Sequence, residues 1–184
     1  MSNARWSSQI HRCKGKQRGA TIIEAALVLP VFFLLLLAIF EFGLVYSAYE
    51  SMLGAAREGA RYAVTPDPNS TPNPYALPAN TDVATRICSK IQAGVFGVGN
   101  ITACNGGAPD TIASGTCPAA SGTQPTLTKE NIYIGQCTVI INLGNLTNEG
   151  TETYIQVAVR RKIQLFWGWQ IPISAYAVMR SEAN

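Results

Sequence analysis

From Ala25 to Tyr46 every position is apolar or small except Glu41. As a helix this run would extend about 33 Å at about 1.5 Å per residue, enough to cross a hydrocarbon core of about 30 Å. Its centre, LVLPVFFLLLLAIFEF, offers no polar face. A helix of that kind fits poorly into the core of a small soluble domain and well into a bilayer. Pro30 lies inside the run. It removes one helix hydrogen bond, which membrane helices tolerate, so it marks either a bending point or a harmless kink in an anchor.

The flanks give the run a direction. Residues 1–19 hold Arg5, Arg12, Lys14, Lys16 and Arg18 and no acid. On the other side Glu50, Arg57, Glu58 and Arg61 cancel. The positive-inside rule then predicts a cytoplasmic leader and an extracytoplasmic C-terminal domain. The formal charge of +3 averages these two parts: of 14 Lys and Arg the leader takes five, leaving nine against 11 Asp and Glu. No basic stripe interleaves with aromatics, so nucleic acid is not an expected partner. A chain of 184 residues has room for one membrane segment and one modest domain with a real core.

An ordinary secretory signal is cut after its apolar segment. Here the attractive processing position, Gly19, comes before it. Cleavage there would leave a mature chain that keeps its apolar helix, begins at Ala20 and carries Glu24 as its fifth residue. Glu24 is expected in the first turn of that helix. It reads either as an interfacial acid favoured by the helix dipole, or as the partner of the Ala20 ammonium on a neighbouring subunit, where the pair would set subunit register. Glu41 falls about 24 Å along the axis from Ala25, close to the outer interface, where its charge reaches water.

The helical pattern continues through Ala63 without a proline, in residues that are mostly good helix formers. Small residues recur every four positions at Ser47, Ser51, Ala55, Gly59 and Ala63. Such a ridge permits close approach of another backbone. We expect it chiefly to serve as the spine of the C-terminal domain, with lateral packing of Ser51, Ala55 and Gly59 against other subunits as the alternative.

These features together resemble a known family. Gly19-x4-Glu24 ahead of the run, Leu29-Pro30 within it, Glu41-Phe42-Gly43 near its end and Ala56-Arg57-Glu58-Gly59-Ala60-Arg61-Tyr62-Ala63 beyond it are similar to the TadE-like family. Those proteins are minor pilins or pseudopilins of the tight adherence (Flp) pilus machinery. The closing stretch Tyr176–Glu182 is similar to that family's last strand, and the resemblance is absent between the two ends. It implies processing by a membrane prepilin peptidase after Gly19 and residence in the bacterial inner membrane. It further implies assembly with other pilus or pseudopilin subunits and the inner-membrane assembly platform. The alternative function is an uncleaved, signal-anchored extracytoplasmic binding protein with no filament role.

Three parts follow: a leader at 1–19, a transmembrane helix with its extension at 20–63, and an ectodomain at 64–184 that opens on a Pro-rich linker at 65–80. Asp82–Ala93 suits a short helix with Thr81 as N-cap. Residues 105–126, rich in Gly, Ser, Thr, Ala and Pro, read as a long loop. Strands are expected at Ile132–Leu143, ending in a turn at Gly144-Asn145, at Tyr154–Phe166 and at Ile171–Arg180. In the second of these, Ile155, Val157, Val159, Ile163 and Leu165 share one face and Gln156, Arg160, Lys162 and Gln164 the other. Arg161 interrupts the apolar face, as expected near a sheet edge. The fold class is α+β: a long N-terminal helix, a short helix and an antiparallel sheet of about three strands, in a pilin-like arrangement.

Four cysteines follow the apolar run: Cys88, Cys104, Cys117 and Cys137. They predict two disulfides with three possible connectivities. A structural zinc site is the alternative, but its ligands usually come in short pairs, and the separations here are 16, 13 and 20. Trp167 and Trp169 flank a turn glycine; we expect them to cover one open end of the sheet, with a headgroup, carbohydrate or subunit contact as the alternative. Past Gly19 there is no histidine, since His11 lies in the leader. That removes Ser-His-Asp and Cys-His catalysis and the commonest transition-metal ligand. No phosphate-binding Gly-rich motif is present and the acids are scattered. We expect no enzyme, no cofactor and no metal site.

Overall fold

The computed structural model describes residues 17–66, 77–94, 100–112, 115–116, 125–141 and 150–181. Residues 1–16 of the expected leader, the greater part of the Pro-rich linker, Cys117 and the expected Gly144-Asn145 turn lie outside the described residues. One helix, α1 (Gln17–Val64), runs through two compact units, residues 1–42 and 43–184.

In the first unit α1 carries Pro30 within it and presents Ile22 through Phe42 as an exposed apolar surface. An 18-residue window of mean hydropathy 2.8 has none of its residues buried. This is a helix long and apolar enough to cross a membrane once.

The second unit adds α2 (Asn80–Gln92), a short 3-10 helix η1 (Thr102–Asn105) and strands β1 (Asp110–Thr111), β2 (Gly115–Thr116), β3 (Ile132–Ile141), β4 (Gly150–Gln164) and β5 (Gln170–Arg180). The sheet runs in the order β1-β3-β4-β5, with β2 also on β3. Antiparallel pairs join β3 to β4 and β4 to β5, as the alternating sequence implies. The two-residue strands β1 and β2 pair with β3 in parallel, so the sheet is mixed and part of the expected 105–126 loop is its edge. No hydrophobic alternation announces strands that short.

The core lies between the helices and one sheet face. In α2, Val83, Ala84, Ile87, Cys88 and Ile91 form one buried stripe at helical spacing. They meet Met52, Ala55, Ala56, Ala60 and Ala63 of α1 and Ile132, Ile134, Val157 and Val159 of the sheet. Each fully buried Ile or Val side chain contributes about 1.5–3 kcal/mol by leaving water. Helix α2 begins earlier than expected: Ala79 is its N-cap, with no side-chain cap bond. Thr81 is therefore not the cap. It lies inside the first turn, and its carbonyl accepts a hydrogen bond from the Thr85 hydroxyl.

The second sheet face corrects the simple inside–outside pattern of β4. Gln156 and Ala158 are fully buried rather than solvated. Gln156 pairs with Gly135, and a Cβ at Gly135 would stand 2.8 Å from that of Ile112; glycine lets Ile112 settle over this face. Further along, Tyr133 Oη accepts from the Lys129 N–H and donates to the Lys129 carbonyl, drawing the approach to β3 over the same side. Neither amide atom of Gln156 has a hydrogen-bond partner among the described residues.

Candidate functional site

Gly19 and Ala20 both fall within α1, which starts at Gln17. Gly19 is exposed, and a Cβ placed there would meet nothing within 4 Å. The earlier start moves Glu24 from the expected first turn to the second, and no acid stands in the first turn. Glu24 is exposed. Ala20 and Glu24, four apart, share one helix face one turn from each other.

The small-residue ridge is occupied by the same chain. Ala55, Gly59 and Ala63 are buried, and Ser47 and Ser51 are half-buried. A methyl at Gly59 would overlap the Ile87 side chain and stand 3.6 Å from Val157 Cγ1. At the other end of α2, a Cβ at Gly94 would lie 3.0 Å from Ser51 Oγ, while Ser51 Oγ itself donates to the Ser47 carbonyl at 3.0 Å. Arg86 and Glu58 add an exposed ion pair at 3.4 Å, which contributes little.

Cys88 and Cys104 form a disulfide with Cα atoms 5.5 Å apart, tying α2 to η1. Asn131 reinforces the junction: its side chain accepts from the Ala103 N–H and donates to the Ala108 carbonyl. Cys137 is disulfide-bonded as well.

Among the described residues, two small groups of ionisable side chains lie along β4. Glu152 accepts from the Tyr154 hydroxyl at 2.9 Å and pairs with Arg180 at 3.1 Å. The hydrogen bond to Glu152 raises the Tyr154 phenol above its ordinary value of 10.0. Burial lowers the Arg161 guanidinium, and the Glu130 carboxylate opposes that shift. Arg161 lies beyond the end of β3, whose first residue pairs with Val159, so here β4 is bonded to β5 as a two-stranded ribbon. A cavity of about 340 Å³ lies between Ala63, Leu77, Ile134 and Ile155, and none of its lining residues is ionisable.

The β4–β5 ribbon ends in the hairpin turn that carries the tryptophans. Gly168 takes a positive φ of 81°, and the turn closes on two backbone bonds, Gly168 N–H to Leu165 O and Leu165 N–H to Trp169 O. Trp167 and Trp169 do not cover the sheet end. They are 63% and 76% exposed, beside Phe166 at 81%. The sequence places Phe166 at the end of a strand; it stands on the turn because β4 stops at Gln164.

The family model of TadE-like proteins matches residues 19–61. That segment is TadE-like. It holds Gly19, Ala20, Glu24, the apolar run and the greater part of the small-residue ridge. The rest of the ectodomain, with its disulfides and hairpin tip, lies outside the match. Neither a curated protein nor a solved structure matches the chain. A TadE-like segment points to a protein related to the Tad pilus.

Proposed function

We propose that the protein is a membrane-anchored minor pilin or pseudopilin that takes part in assembling a tight adherence (Flp type IVb) pilus. The observation that carries this reading is the TadE-like match over residues 19–61, which includes the position for processing and the acid behind it. A prepilin peptidase of the inner membrane would cut after Gly19. The new ammonium of Ala20 would then stand one helical turn from Glu24, on the same face. At the membrane margin, Glu24 of one subunit would pair with such an amine on a neighbour and fix the stagger between adjacent helices; burying either charge alone would be costly. The basic leader holds the N-terminus in the cytoplasm, and the ectodomain faces outward. Its partners are the other pilus subunits and the assembly platform. No enzymatic activity, cofactor or metal belongs to this reading.

The test is a pull-down of the tagged full-length chain from membranes of its own host, with intact mass read on the eluate. The reading expects a chain beginning at Ala20 that brings other pilus components with it, and a Glu24→Ala chain that inserts normally but loses them. A chain that begins at Met1 or Ser2 and brings no pilus component supports the signal-anchored binding protein instead.

A further inference from the structure

We propose that the hairpin tip formed by Phe166, Trp167 and Trp169 is a lipid-contacting foot that docks the ectodomain onto an anionic bilayer surface. The inference rests on reading the apolar half of α1 as a membrane anchor, and adds to that reading a second, separate point of contact.

Gly59 of α1 sits on Val157, and Ala63 and Ile155 line the same cavity. Moving two residues along β4, about 6.6 Å, therefore moves about four residues, or about 6 Å, back along α1. Strand β4 thus runs against α1. From Val157 to the turn at Leu165 is about 26 Å of strand, which carries the tip toward the Gly43 end of the unit. That end is where the chain passes into the apolar run, and so the end held beside a bilayer.

Three aromatic side chains stand in water at exposures that folded domains rarely give to adjacent large rings. Tryptophan is the residue most suited to the headgroup layer, where its ring leaves water while its indole N–H keeps a polar partner. The turn's two backbone bonds close internally, so the tip can enter the interface with fewer unpaired backbone groups to desolvate.

From Thr153 to Met179 the two arms hold Arg160, Arg161 and Lys162 and no acid. Lys162 is exposed. Glu130 approaches the ribbon, accepting from the backbone N–H of Lys162 at 3.0 Å, which leaves the ribbon net basic. A basic stem behind an aromatic tip matches a surface with anionic headgroups outside and apolar chains within, because cations beside an anionic leaflet are drawn to it. A second copy of the chain or another protein would match the aromatics but gives no comparable account of the charge.

The experiment uses the full chain with Trp6→Phe, so that emission comes from Trp167 and Trp169, reconstituted in phosphatidylcholine–phosphatidylglycerol nanodiscs. Lipids brominated near the headgroup are compared with aqueous iodide as quenchers. The proposal expects bromolipid to remove most of the emission, iodide to remove little, and bromolipid quenching to weaken in discs of phosphatidylcholine alone. Full iodide quenching without bromolipid quenching overturns it. Resistance to both quenchers also overturns it and assigns the tip to protein contact. Equal bromolipid quenching in the two disc compositions overturns the assignment to anionic lipid. Incorporation of the chain into discs is read separately by co-elution, so failure of the anchor itself shows as a chain that never enters them. A Trp167→Ser, Trp169→Ser chain carrying a single reporter Trp in place of Tyr46 is expected to stay in the discs.

Discussion

The two halves of α1 use one helical backbone for opposite ends. Before Gly43 the helix turns large apolar side chains outward on every side, and its hydrophobic window is wholly unburied. After Gly43 it carries small residues, and Ala55, Ala56 and Ala60 are completely buried against α2 and the sheet. The first half makes few demands on shape, because any sufficiently apolar surface dissolves in lipid. The second is defined by shape: at Gly59 even a methyl group overlaps Ile87. The two halves thus differ in hydropathy as well as in side-chain size: one charged residue falls within Ala25–Tyr46, and four, Glu50, Arg57, Glu58 and Arg61, fall within residues 47–63.

The largest effect that could break this contrast comes from charge in the first half. Leu35→Asp is expected to cost about 3 kcal/mol of insertion, on the order of a hundredfold in the insertion equilibrium constant, while the Cys88–Cys104 bond still forms. Carbonate extraction and a non-reducing gel read the two outcomes, and a chain that remains fully membrane-integral would erase the distinction. A smaller effect is expected from Gly59→Leu. Overpacking costs about 3 kcal/mol, against a helix-propensity gain of about 0.8 kcal/mol, so unfolding of the ectodomain in detergent should come at clearly lower urea, with insertion unchanged. The smallest change sharpens the comparison from within the same half. At Gly54 an added Cβ meets nothing within 4 Å, and Gly54→Ala should raise stability by about 0.5–1 kcal/mol. A loss there would show that Gly54 has a close neighbour after all.

Much of the fold was legible because it follows from periodicity. The run at Ala25–Tyr46, the α2 stripe and the alternation of β4 each declare their element through the spacing of apolar residues. What escaped depended on residues distant in sequence. Thr81 has a good capping side chain, but the chain enters α2 at Ala79 and leaves it inside the first turn. Gln156 sits on the strand's polar face by parity and is buried because Gly135 admits Ile112 over that face. The sequence alone reads Trp167 and Trp169 as closing the sheet; instead β4 and β5 outrun β3 as a two-stranded ribbon, and the turn stands clear of the core. Of the candidate site, Gly19, Ala20 and Glu24 lie within six residues of one another, so the roles proposed for them rest on linear sequence alone.

By itself the sequence determined the membrane-length helix, the basic stretch before it, the TadE-like segment and the α+β composition, because each is written in local composition and period. Only the tertiary structure decided which small residues take a neighbour, which cysteine meets Cys88, and which aromatics stay in water. Those outcomes depend on where separate elements stop and how closely their backbones approach, and no single stretch of chain encodes either.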